Sequence, residues 1–146
     1  MSSTRVAAVL AGLWAGLLLA IALIAAPAAF ATLSTPAEAG RVAGRMFSQE
    51  APLSLALAVI LFLIERRRAR GLAEVGQGSQ FSANLMLLLG TLFCTVAGYY
   101  AIQPMMAAAR AGQGAWSFAA LHGASTGFYG VKTLLVVVLA WRLAPH

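Results

Sequence analysis

The chain has 146 residues, 61% of them hydrophobic and only 10% charged, with a mean hydropathy of +0.84, whereas an ordinary soluble domain carries about 25% charged residues. A helix needs roughly 20 mainly apolar residues to cross about 30 Å of hydrocarbon, so a few membrane spans consume the chain and no separate soluble domain fits. The net charge of +6 does not point to nucleic acid, because the arginines gather at the ends of apolar runs, where they orient a membrane protein.

The first span is expected from about Val6 to Ala31, after Arg5. Within it "GLWAG" sets Gly12 and Gly16 four residues apart, a spacing that lets helices approach closely, and Pro27 falls near the far end. The small residues of "AAFA" at 28 to 31 resemble a signal-peptide cleavage region, but the apolar core is longer than a signal h-region, so a retained span is expected.

The second helix opens with "STPAE": Thr35 as N-cap, Pro36 at the first helical position and Glu38 three residues after the cap form a capping-box signature. The apolar run that follows, Ala51 to Ile64, has only 14 residues before "ERRRAR", too few to cross a bilayer. A span over about 36 to 66 therefore takes in Arg45 to Glu50 and draws Glu50 below the surface.

The third span covers about 82 to 109 and holds Thr91, Cys94, Thr95, Tyr99 and Tyr100, with Gln103 and Pro104 near its end. Cys94 is the only cysteine, so no disulfide forms within the chain. The fourth span covers about 115 to 142, bracketed by Trp116 and Trp141 at a separation of roughly 37 Å, as two interfacial aromatic belts require. The expected fold is thus an all-α integral membrane protein, a four-helix bundle in one domain over 1 to 146. Arg5, Arg66, Arg67, Arg68, Arg70 and Arg142 fall on one side of four spans and Arg41, Arg45 and Arg110 on the other, which predicts cytoplasmic N- and C-termini. Pro27 and Pro104, each before an outward turn, suggest a duplicated helical hairpin.

At about 100° per residue, His122, Ser125, Thr126, Tyr129 and Lys132 share an arc of roughly 120° on the fourth helix and form a polar stripe expected to face the bundle. Ala119, Gly123, Gly127 and Gly130 form a small-residue face suited to helix contact, and Leu121, Ala124, Phe128, Val131 and Leu135 are left for lipid. Depths counted from the outer ends bring His122, Glu50, Tyr99 and Tyr100 to one level, His122 about 9 Å inside Trp116. A hydrogen-bonded Glu50–His122 pair, with Arg45, Ser125 and the two tyrosines around it, is the expected polar cluster. Ionisable groups inside a membrane are costly and mark functional sites by default, although interhelical polar contacts also serve as glue. Lys132, roughly 14 Å from Trp141, is read as a separate intramembrane charge that snorkels or bonds backbone carbonyls.

"AGRVAGRMFSQEAPLSL" from 39 to 55, "IQPMMAAAR" from 102 to 110 and "FAALHGASTGFYGVKTLLVVVLAWR" from 118 to 142, together with "GLWAG" and "APAAFATL", resemble the bacterial DUF4149 family, whose eukaryotic relatives are the transmembrane protein 205 group. The resemblance covers almost the whole chain. It implies an uncharacterised bacterial membrane protein, related to a eukaryotic group associated with resistance to platinum drugs. A more distant similarity to small membrane families concerned with copper or haem implies a role for a membrane histidine, which by position is His122.

Three classes of function follow. A non-enzymatic component of the bacterial cytoplasmic membrane, assembling with itself or a larger complex, agrees with the small-residue faces and the absence of a nucleophile–base or multi-histidine motif. A haem or copper site would use His122 with the thioethers of Met46, Met105 and Met106, a donor set suited to Cu(I). A transporter of a cation or small solute would act as an oligomer around the outer polar cluster.

Overall fold

The computed structural model describes residues 2 to 145; Met1 and His146, the ends of the expected domain, lie outside them. Four helices follow one another: α1 (Ser3–Thr32), α2 (Pro36–Glu74), α3 (Ala83–Arg110) and α4 (Phe118–Leu143), each long and apolar enough to cross a membrane. Each packs on the next and α4 closes against α1. The ring so formed leaves α2 and α4 on one diagonal.

Local chemistry starts each helix. Thr35 and Glu38 complete the capping box of α2, side chain to backbone in both directions. Ser82 accepts from the Leu85 amide and Ser117 from the Ala120 amide, capping α3 and α4. Trp116 accordingly precedes α4 rather than opening it. α2 runs past the expected end near 66 to Glu74, because "ERRRARGLAE" contains good helix formers. It stops before Gly76, whose φ of 71° lies in the left-handed region. Its 39 residues make a rod of about 58 Å, longer than a bilayer core.

α1 and α3 share an irregularity. Ile21–Ala25 of α1 and Val96–Ala101 of α3 are π-helical, and a proline follows each, Pro27 and Pro104. Beside these segments α4 supplies hydroxyls: Tyr129 donates to the Leu18 carbonyl (2.9 Å) and Ser125 to the Gly98 carbonyl (2.7 Å).

The core is a column of Trp14, Leu18, Leu61, Leu88, Val136 and Leu139. Leu13, Leu23, Ile24, Phe93, Leu134 and Trp141 face outward, the apolar exterior that a lipid environment demands. Side-chain size is distributed differently from the expectation. Gly12, Gly16, Gly40, Gly44, Gly123, Gly127 and Gly130 are exposed and touch no other helix of the chain. The close approaches occur on α3, where Leu135 packs on Gly90 and Phe128 on Gly98. Leu121, Phe128 and Leu135, expected in lipid, therefore lie in or beside the bundle, while Ala124 and Val131 are exposed.

Candidate functional site

On α2, Glu50 and Ser54 are one turn apart and so share a face. That face looks at α1 and α4. Lys132 of α4 donates from Nζ to Glu50 Oε1 at 2.7 Å, the Ser54 hydroxyl donates to the same oxygen, and Trp14 of α1 donates from its indole nitrogen to Ser54 Oγ at 2.8 Å. Glu50 is 4% exposed, Lys132 3% and Trp14 not at all. The Lys132 ammonium also stands 5.0 Å from the centroid of the Tyr129 ring, whose edge meets Phe47. A carboxylate, a hydroxyl, an indole and an aromatic face thus replace water around one buried charge pair. The low dielectric strengthens the attraction within such a pair, and the second bond to Glu50 Oε1 helps to offset the cost of burying it. Among the described residues no buried side-chain nitrogen or oxygen lacks a partner.

Glu50 is buried in the bundle, but its partner is Lys132 and not His122. His122 lies ten residues before Lys132, about 15 Å nearer the start of α4. It is exposed and stacked on Phe118, with Arg110 over that same ring at 4.6 Å. Lys132 neither snorkels nor bonds carbonyls, because Glu50 reaches it from the opposite corner of the ring. Of the expected stripe, Ser125, Tyr129 and Lys132 bond inward. Thr126 is exposed and returns its hydroxyl to the His122 carbonyl. Tyr99 is half-buried with its ring edge to Tyr100, and Arg45 is exposed.

The thioethers expected around His122 are dispersed. Met106 is buried with Ile102 and Leu121, Met105 is exposed, and Met46 lines a cleft of about 290 Å³ with Leu17, Ile21, Gln49, Glu50 and Leu53. Among the described residues no three His, Cys, Asp or Glu side chains are grouped to share a metal ion.

A second buried polar cluster was not anticipated. Near the arginine-rich end, Glu65 accepts from Asn84 of α3 (3.0 Å) and from Arg68 (3.4 Å), and Asn84 accepts from Arg142 of α4 (2.8 Å). Its signal was an asparagine just inside the cap of an apolar helix, opposite a glutamate at the edge of a basic run. Trp14 carries no such signal, because the sequence pattern of "GLWAG" is its glycine spacing and nothing in it marks the indole as a donor to α2.

The architecture defines an integral membrane four-helix bundle clasped by a buried ion pair. The chain belongs to DUF4149, a family described as a domain of unknown function, whose model matches residues 9–115. α4, with Lys132 and the "LHG" segment, lies beyond the matched residues. No curated protein and no solved structure matches the chain.

Proposed function

We propose that this protein is a non-enzymatic module of the bacterial cytoplasmic membrane, with both termini cytoplasmic, that presents a preassembled four-helix surface to copies of itself or to a larger complex. The Glu50–Lys132 pair carries the reading. It is enclosed by Trp14, Ser54 and Tyr129 and ties two helices that are not neighbours in the ring, as a clasp between two hairpins would be. The outward glycines of α1, α2 and α4 support assembly with further helices, and the excess of arginines at one end supports the orientation.

Purification in detergent tests this. The expected result is a chain without a visible absorption band and with copper, iron and zinc well below one per chain. Glu50→Gln and Lys132→Met are expected to lower the thermal midpoint sharply, and His122→Ala to leave it in place. Stoichiometric haem or copper that disappears in His122→Ala would overturn the proposal in favour of a cofactor protein.

One observation favours a second reading, transport of a proton or small cation. Both bonds to Glu50 fall on Oε1, and the carboxylate lines the cleft between α1 and α2. Uptake of protons or monovalent cations into liposomes, lost in Glu50→Gln at equal protein content, is the outcome that would establish it.

A further inference from the structure

A separate cleft, of about 300 Å³, lies where α2 and α3 diverge toward their connecting turn. Phe62, Arg66 and Arg70 line its α2 wall at four-residue intervals, the spacing that stacks side chains on one helical face. Leu85 and Leu89 line the α3 wall, and Phe81, 77% exposed, closes the end. The result is an apolar trough with two guanidinium groups along its rim.

The basic residues at this end differ in what they already hold. Arg68 pairs with Glu65, and Arg142 bonds Asn84. The two ion pairs among the described residues are Arg68–Glu65 and Lys132–Glu50, so Arg66 and Arg70 face the cleft without a carboxylate. The apolar run of α2 ends at Ile64, which sets these two guanidinium groups at the level of lipid phosphates and the leucines at the level of acyl chains.

We propose that this cleft binds one anionic phospholipid, its phosphate between Arg66 and Arg70 and an acyl chain along Phe62, Leu85 and Leu89. The planar guanidinium fork matches phosphate oxygens in pairs. Basic pockets between membrane helices recognise lipid headgroups in this way. A free anion would leave the apolar trough unfilled, and a choline headgroup would bring its own cation against the arginines. The site is remote from the Glu50–Lys132 pair and does not depend on how that pair is used.

The full chain in detergent is titrated with dioleoyl phosphatidylglycerol, with dioleoyl phosphatidylcholine and with inorganic phosphate, following the thermal midpoint and, by native mass spectrometry, the lipid retained. Phosphatidylglycerol is expected to raise the midpoint saturably and to be retained at one per chain. The double variant Arg66→Gln, Arg70→Gln should bind it roughly thirtyfold more weakly, since each basic group near a membrane surface contributes about a fivefold factor. Arg67→Gln removes one charge, as each of those two changes does, from a residue that does not line the cleft, and should bind as the parent does. An Arg67→Gln loss of about fivefold, the share of one charge, would reduce the effect to bulk attraction and overturn the site. So would an equal response to phosphatidylcholine, or a response to inorganic phosphate alone.

Discussion

Glu50 and Lys132 hold the same place in their helices: each is the fifteenth residue, counted from Pro36 in α2 and from Phe118 in α4. Because α2 and α4 run in the same direction, equal counts put both charges at one depth, roughly 21 Å from the helix starts. The π segments and prolines of α1 and α3 repeat in the same manner. Two hairpins of one plan therefore meet with opposite charges at matching positions.

Removal of either charge leaves the other buried without its mate, so Glu50→Gln and Lys132→Met should each destabilise the bundle by about 3–5 kcal/mol. The double variant should cost much less than the sum. Thermal or denaturant unfolding of the four proteins in one detergent measures this. Additive losses would mean that the two residues act independently.

Trp14→Phe keeps most of the ring but deletes the donor to Ser54. A loss of about 1–3 kcal/mol is expected for leaving the buried Ser54 hydroxyl oxygen without its donor, read from the same unfolding curves. The larger Trp14→Ala change should add a cavity cost, since the ring is wholly enclosed.

Gly98→Ala should be among the most damaging single-methyl changes in the protein, because the added carbon would overlap Phe128 Cβ. Overpacking of this kind costs typically about 1–3 kcal/mol. Alanine at 128 would keep that Cβ, so the relieving change is Phe128→Gly, in whose background Gly98→Ala should cost less than it does in the parent. Ala at Gly12 or Gly123, which have open space around them, should be silent in the isolated chain and reveal any partner helix by weakening association instead.

His122→Ala should shift stability by no more than about 0.5 kcal/mol, the range of exposed substitutions, because His122 is exposed and stacked on Phe118. An unfolding midpoint displaced as far as that of Lys132→Met would show that the histidine has a partner in the membrane.

Reporter fusions after Arg70 and at the C-terminus should read as cytoplasmic, and one after Thr35 as external. The arginine count at the two ends is the basis. An external C-terminus would reverse the orientation of the whole bundle, including the side on which Arg66 and Arg70 meet lipid.

The helix starts were legible because capping is local: Thr35, Pro36 and Glu38 announce α2 within four residues. The start of α2 well ahead of its apolar run was legible as well, from the shortness of that run. The partner of Glu50 is mistaken when depth on α2 is counted from Arg45, nine residues inside the helix start at Pro36: Glu50 then stands five residues deep, level with His122, instead of fifteenth in its helix, level with Lys132. The inward face of α4 was hard to assign for a different reason. In a membrane both core and lipid accept leucine and phenylalanine, so Leu121 and Phe128 carry no mark of which way they turn. Gly98, the residue that receives Phe128, looked no different from the outward glycines, and the π segments had only the two prolines as a sign.

The separation of the two charges along the chain has a consequence for biogenesis. α2 is synthesised and enters the bilayer with Glu50 long before Lys132 exists, 82 positions later. In that interval the first hairpin already contains what shelters the carboxylate, since Ser54 and the Trp14 indole belong to α2 and α1. The second hairpin carries its ammonium beside the Tyr129 ring and arrives at an acceptor already in place. The order of translation thus delivers a prepared socket first and its plug last, and a hairpin expressed without its sequel would present a half-filled socket to any quality-control protease that samples the membrane.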